Sequence, residues 1–435
     1  MRKLTIPFLM YLVSFAFILP ASAARKDVLP NGMTVVTAGT EGDIVSIRLF
    51  IRSPHLSGQN KTVFNLTAAM LLKGTVDADA EKFNDMLEDN GIEMNAGASD
   101  DYVLLSARTL KENACLAADM MRQALLSPSL EESVLKNEIA LTLRRMEAAE
   151  DNPMEAGLAE LYRRTYGRHP YAVNRRATAA HLRQITVTDI RDALKRWYRP
   201  ERAVLSVCGD VDALHLADRI SDGWVNCGTQ RPESQHVTTI RLQSSAKGRH
   251  HLNKDIQGTW IFMAYDAPPA DSRDYIAMKI LDSVIGGGMD SRLFGELREC
   301  RGLAYETASF YPTRQLGSRV ILYIGTAPKR AQEAEQAMLD LVEKVKLAGI
   351  TYDEMQRAKA YLRGVFMMAQ ERSADKAFYR GWFEIIGLGY NFVDRYPGLF
   401  ADITLSDIQR AARRYMQDPL IVAIGPSSIS SGGAE

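Results

Sequence analysis

The sequence predicts an α+β fold used twice, and three observations carry that prediction. First, Ile185-Thr-Val-Thr-Asp-Ile-Arg-Asp-Ala-Leu-Lys-Arg-Trp-Tyr198 recurs 218 residues later as Ile403-Thr-Leu-Ser-Asp-Ile-Gln-Arg-Ala-Ala-Arg-Arg-Tyr-Met416. Second, both copies open on a Thr-x-x-Asp capping signal, Thr186 with Asp189 and Thr404 with Asp407, and both run into an apolar strand, Ala203 to Val207 and Leu420 to Ala423. Third, strand-like and helical stretches are mixed within each half and follow the same order. The offset is about half of a 435-residue chain, which marks two homologous halves rather than a solenoid of short repeats. The length fits two or three domains.

Taken in order, Met33 to Val36 and Ile44 to Ile51 are rich in β-branched and aromatic residues and read as strands. A helix ending near Gly74 follows. Ala78 to Asn90 is a second helix, with Phe83, Met86 and Leu87 on its buried side and Gly91 as its stop. Short strands fit Ile92 to Ala98 and Tyr102 to Ala107. From Leu110 to about Tyr166 the pattern is helical, broken at Ser127-Pro128 and Asn152-Pro153. The polar segment from Cys227 to Lys254 lacks apolar periodicity and reads as a linker. The second half then gives a strand at Trp260 to Tyr265, a helix at Tyr275 to Ile285, a break at Gly286-Gly287-Gly288 and a helix at Ser291 to Arg298. Strands at about Tyr305 to Tyr311 and Arg319 to Ile324 precede long helices at Ala331 to Leu347 and Tyr352 to Met368.

Composition excludes some functions. Lys plus Arg equals Asp plus Glu at 53 each, so no global field favours nucleic acid. The 46% hydrophobic and 24% charged content are ordinary for a globular protein. Arg2 and Lys3, the apolar run Leu4 to Leu19 and Ala21-Ser22-Ala23 read as a cleaved export signal, which predicts a periplasmic or secreted protein. The run is short, holds Pro7 and Pro20 and meets a cleavage site, which argues against a membrane anchor. The expected divisions are therefore a signal at 1–23, domains at 24–226 and 255–426, a linker at 227–254 and a tail at 427–435. Cys115, Cys208, Cys227 and Cys300 form no C-x-x-C pair, so they are either idle thiols or partners in disulfides whose pairing the sequence does not fix.

Several stretches bear on chemistry. Val63-Phe64-Asn65-Leu66-Thr67-Ala68-Ala69-Met70-Leu71-Leu72-Lys73-Gly74-Thr75 resembles the active-site helix of the inverted zincins, in the insulinase, pitrilysin and mitochondrial-processing-peptidase family. There a His-x-x-Glu-His segment sets two imidazoles on one helix face with a carboxylate base between them. Here those places hold Asn65, Ala68 and Ala69. The resemblance extends through Asp151-Asn152-Pro153-Met154, Tyr166-Gly167-Arg168-His169-Pro170-Tyr171, Tyr198-Arg199-Pro200 and Val207-Cys208-Gly209-Asp210-Val211. In the second half it is carried by Gly286-Gly287-Gly288-Met289-Asp290-Ser291-Arg292-Leu293-Phe294 and Leu297-Arg298-Glu299-Cys300-Arg301-Gly302-Leu303-Ala304-Tyr305.

The resemblance implies a third ligand on a helix like Glu131 to Glu150; counting from Ala69 and Glu138 places it at Arg145. Alanine cannot ligate zinc, asparagine ligates it poorly, and a guanidinium would repel it. No metal is therefore expected on this chain. The resemblance further implies that Arg298 and Tyr305, seven residues apart, reach toward substrate, with the open backbone of Gly286, Gly287 and Gly288 beside them. Guanidinium and phenol are donors suited to a peptide carbonyl. The plain alternative makes Arg298 a solvated helix residue, Tyr305 the start of a strand and the glycines a helix stop. No Gly-Lys-Ser/Thr follows the glycines, which excludes a phosphate loop. The adjacent His250-His251 pair does not form a metal-binding face, and His169 reads as structural.

A spent zinc half beside a retained Arg/Tyr segment resembles one subunit of the family's two-chain members, whose partner carries His-x-x-Glu-His. The expectation is thus a non-catalytic subunit of a zinc metalloendopeptidase, with zinc and catalysis on the partner and peptide or unfolded polypeptide as substrate. The alternative is a structural or peptide-binding protein with no proteolytic role. An independent enzyme with an unfamiliar site has no motif in its favour.

Overall fold

The computed structural model describes residues 24–40, 42–225 and 246–426. The expected signal segment, Cys227 and the tail lie outside the described residues. In the first half, β1 (Arg25–Val28), β2 (Thr34–Ala38), β3 (Ile44–Arg52), β4 (Glu93–Ala98), β5 (Tyr102–Leu110) and β6 (Ala203–Cys208) form a sheet ordered β1-β2-β6-β3-β5-β4. In the second half, β7 (Gly248–Asn253), β8 (Thr259–Ala267), β9 (Glu306–Phe310), β10 (Ser318–Thr326) and β11 (Leu420–Gly425) form a sheet ordered β7-β11-β8-β10-β9. Apart from β1, the two sheets have one topology. β2 runs parallel to β6 as β7 does to β11, and every other neighbour is antiparallel. The duplication legible in one helix therefore extends to the whole fold.

Both copies of the repeat helix, Val187–Trp197 and Leu405–Tyr415, carry the complete capping box. Thr186 Oγ1 accepts from the Asp189 amide at 3.3 Å, while the Asp189 carboxylate accepts from the Thr186 amide at 2.9 Å. Asn152 in turn caps the Pro153–Tyr166 helix, accepting from the Met154 and Glu155 amides at 2.9 and 3.3 Å, with Pro153 in the first turn where its missing N–H costs nothing.

What joins the halves is a reciprocal exchange of helices. The Pro153–Tyr166 helix of the first half packs on β8 and β11 of the second sheet, with Leu161 set among Phe262, Ala264, Ile321, Leu420, Val422 and Ile424. The Ser373–Ile385 helix of the second half packs on β3 and β6 of the first sheet, and Phe378 meets Phe50 at 5.7 Å between ring centroids. Both contacts are made at a glycine. A Cβ on Gly157 would lie 2.1 Å from the Phe262 ring, and one on Gly381 would lie 2.4 Å from the Phe50 ring. Only glycine lets either helix approach so closely. As a result Val36, Phe50 and Val204 of the first sheet belong to the same apolar cluster as the second-half core.

Two sequence expectations are corrected. The sequence predicts a linker from 227 to 254, but residues 248–253 are β7, paired in parallel with β11. Its residues, Gly-Arg-His-His-Leu-Asn, are too polar to read as a strand because it lies at the sheet edge, where little of it must be apolar. The segment expected as a helix at Ser291 to Arg298 is a π-helix at Leu293–Cys300. Cys115, Cys208 and Cys300 are free thiols. No helix among the described residues is long and apolar enough to cross a membrane.

Candidate functional site

The helix resembling a zinc-binding helix spans Gly58–Met70. It is held from behind by the repeat helix: Tyr198 Oη donates to the Phe64 carbonyl at 2.7 Å, and the Phe64 ring packs against Trp197 and Tyr198. Ala68, in the place of the base, is fully buried within the first-half core, while Asn65 and Ala69 are half-buried. The neighbouring Glu132–Asp151 helix turns one acidic side chain inward, Glu138, which is only 6% exposed. That carboxylate already has cations of its own. Lys73 Nζ lies 3.0 Å from Oε2, and Arg145 Nη1 lies 3.9 Å from Oε1.

Zinc does not fit this arrangement. The ligand positions offer an amide, a methyl group and an exposed guanidinium, and the one buried carboxylate is neutralised by a lysine and an arginine. A divalent cation entering here would meet two positive charges and lack the imidazoles that hold zinc. Among the described residues no group of three or more His, Cys, Asp or Glu side chains is placed to hold a metal. Sequence reasoning singled out Asn65, Ala68, Ala69 and Arg145 but gave Lys73 no role, because its pairing with Glu138 depends on two chain segments meeting.

In the second half the structure separates residues that the motif had grouped. Gly286 ends the Tyr275–Gly286 helix against β9; a Cβ there would fall 2.3 Å from the Ser309 amide nitrogen. Gly287 is tight against Ser283, with 2.6 Å from a built Cβ to its Cα. Of the three glycines, only Gly288 presents open backbone, with Tyr361 Oη 3.9 Å from a built Cβ. Gly287 and Gly288 line a pocket of about 150 Å³ with Met289, Asp290, Arg357 and Tyr361. The loop is anchored by Arg292, which holds Glu354 with two bonds of 2.7 and 2.8 Å. This guanidinium, ahead of the cost of burial, keeps the Glu354 carboxyl down at about 2. Glu354 also completes the cap of the Tyr352–Met368 helix.

Neither Arg298 nor Tyr305 lines that pocket. Arg298 is exposed on the π-helix, its guanidinium 4.9 Å from the Phe294 ring centroid. Tyr305 lies on the opposite side of β9, on the second sheet itself, and 50% of its surface is exposed. Its ring rests on two glycines. A Cβ at Gly325 would lie 2.6 Å from the ring, and one at Gly258 would lie 2.7 Å from Oη. Trp260 packs edge-on to it at 5.6 Å and 86°. Burial first, then the neighbouring Glu306 carboxylate, pushes the Tyr305 phenol up, so it stays a donor at neutral pH.

Two α+β halves whose sheets share one topology apart from β1, with a helix resembling a zinc-peptidase helix that carries Asn65, Ala68 and Ala69, define a class: a peptidase-like protein in which no metal-binding cluster is formed among the described residues. The comparisons with known proteins supply the family. Residues 34–179 match the model described as insulinase, peptidase family M16, and residues 184–362 match the peptidase M16 inactive domain. The chain belongs to the M16 (insulinase) peptidase family. An uncharacterized zinc protease of Bacillus subtilis is 24% identical over 409 residues, covering 92% of this chain and 96% of that protein. Another from Streptomyces coelicolor is 26% identical over 416 residues, covering 92% and 89%. Among solved structures, a protease from Helicobacter pylori superposes with a TM-score of 0.84 at 20% identity, covering 93% of this chain and all (100%) of that one. A peptidase M16 inactive domain from Pseudomonas fluorescens superposes with 0.83 at 21% identity, covering 93% and 98%. The inactive-domain match fits a non-catalytic role, and the relatives carry the name zinc protease.

Proposed function

We propose that this chain is the exported, non-catalytic subunit of a zinc metalloendopeptidase, completing the substrate chamber of a family partner that supplies His-x-x-Glu-His. In this reading the zinc and the hydrolytic step belong to the partner. This chain contributes peptide-holding groups: the Tyr305 phenol, the exposed Arg298 guanidinium and the open backbone at Gly288. The observation that carries it is the internal Lys73–Glu138–Arg145 cluster, which takes the one buried carboxylate beside the former metal helix out of metal chemistry while Tyr305 remains seated and half-exposed. Export rests on the charged, apolar and Ala-x-Ala segments at the N-terminus.

The test is peptide cleavage with bound zinc quantified, first for the mature chain alone and then after mixing with a family member from the same source that carries His-x-x-Glu-His. Activity and stoichiometric zinc only in the mixture support the subunit. Zinc-dependent cleavage by the chain alone overturns it. No complex and no activity in either sample leaves the structural or peptide-binding role in its place.

A further inference from the structure

The surroundings of Tyr305 have a specific chemistry. β8, β9 and β10 present Trp260, Glu306 and Tyr323 to the sheet face that carries the first half's Pro153–Tyr166 helix, since alternate residues of a strand share a face. In the pairing register Gly325 of β10 stands opposite Trp260 on one side and Glu306 on the other. Because Gly325 has no side chain, the Tyr305 ring lies down in the gap. The Trp260 and Tyr323 rings are tilted by 32° at 6.2 Å, so they form a nearly continuous floor, and Tyr305 stands against Trp260 as a wall. Tyr323 Oη donates to Glu306 Oε1 at 3.2 Å, which holds the carboxylate beside that floor.

Three electron-rich rings meeting at a corner, with a fixed carboxylate alongside, is a receptor for a positive charge on an aliphatic stem. The chain uses the same chemistry internally. Arg314 lies 5.1, 5.1 and 4.7 Å from the ring centroids of Tyr162, Tyr166 and Tyr171, with Asp100 at 2.8 Å. Around Trp260, by contrast, among the described residues no lysine or arginine is stacked on Trp260, Tyr305 or Tyr323. Tyr305 and Glu306 are both exposed, so the corner is open to a charge from outside.

We infer that Trp260, Tyr305, Tyr323 and Glu306 form a subsite for a basic side chain, arginine or lysine, of a bound polypeptide. The inference rests on the reading of Tyr305 as a peptide-contacting residue and adds to it the class of side chain recognised. Arginine is the better occupant, because a planar guanidinium stacks on a ring while bonding to a carboxylate, whereas lysine offers a point charge.

The experiment is fluorescence anisotropy with the full mature chain and two labelled peptides of alanine, serine and glycine. One carries a single central arginine and the other citrulline at that place, which keeps the shape and removes the charge. The arginine peptide is expected to bind about tenfold more tightly, the scale of one partly desolvated cation–π contact with a charge-assisted bond. Glu306→Gln and Tyr305→Leu should each shrink that preference to less than about threefold. Glu306 is exposed, so Glu306→Gln decides the matter even if Tyr305→Leu fails to fold. Equal affinities in the wild type overturn the subsite while leaving peptide binding intact. A preference that survives both substitutions overturns it as well, because the charge is then read elsewhere. If neither peptide binds, the subsite falls together with peptide binding by the isolated chain, and cleavage by the mixture with the partner judges the subunit role separately.

Discussion

Replacing Arg314 should loosen the junction between the halves more than any other single surface-loop change. Arg314 sits in the second-half connection between β9 and β10, yet its guanidinium is spent on the first half. Nη1 donates to Tyr166 Oη at 2.7 Å, Nη2 to Asp100 Oδ2 at 2.8 Å, and three tyrosine rings enclose it. The side chain is 12% exposed. Arg314→Ala deletes two charge-assisted hydrogen bonds, each worth about 1.5–3 kcal/mol, and three cation–π contacts. Relief of guanidinium desolvation offsets part of this, and Asp100 is not orphaned, because Lys61 Nζ remains at 2.9 Å. The net expectation is a loss of about 3 kcal/mol. Guanidinium chloride unfolding of the wild type, Arg314→Ala, Asp100→Asn and the double variant measures it, with a coupling between the two sites of at least about 1 kcal/mol. A loss under about 0.5 kcal/mol, or strictly additive single effects, would refute the clamp.

Other expectations follow from the same geometry. Gly381→Ala should destabilise by about 1–2 kcal/mol despite the better helix propensity of alanine, because the fully buried Phe50 ring cannot yield to a Cβ at 2.4 Å; a neutral or stabilised variant in chemical denaturation would show that the helix shifts freely. Burial, then the Arg319 charge, holds the His169 imidazole down at about 4, and its Nδ1 accepts from the Tyr171 amide at 3.1 Å, so the folded state keeps it neutral. Stability from that neutral ring is present above the ordinary histidine pKa of about 6.5 and is lost as pH falls toward 4. His169→Gln should flatten the loss between pH 6.5 and 4, read by denaturation at several pH values; an unchanged slope would show that the ring is charged or exposed. Asp101 runs the other way. Burial raises it to about 6, so it adds stability as pH falls below that value, and Asp101→Asn should steepen the acid loss. Lys73→Ala should cost about 1–2 kcal/mol by leaving the buried Glu138 with only the more distant Arg145, and zinc titration calorimetry of that variant should still give no heat of site binding.

Much of the fold was legible. The repeat, its capping boxes and the alternation of strands and helices depend on neighbours within about one helical turn or strand, so they leave a periodic signature. That Asn65, Ala68, Ala69 and Arg145 are poor zinc ligands was legible too, since it is a matter of residue chemistry; that Lys73 and Arg145 flank the buried Glu138 was not. Less visible was β7, because an edge strand of Gly-Arg-His-His-Leu-Asn has no apolar alternation to betray it. The Ser373–Ile385 helix lay beyond the last helix read before the repeat, and its packing on the other half's sheet follows no local rule.

The sequence by itself determined that this protein is a duplicated α+β chain of the M16 family, because residue identity and short-range spacing suffice for those statements. Tertiary structure alone decided the rest. It exchanged helices between the halves at Gly157 and Gly381, set Lys73 against Glu138, and parted Tyr305 from the glycine loop to seat it with Trp260, Tyr323 and Glu306. Apart from the adjacent Tyr305 and Glu306, those contacts join residues distant in the chain, and their energy depends on shape and desolvation in three dimensions, which a linear pattern does not encode.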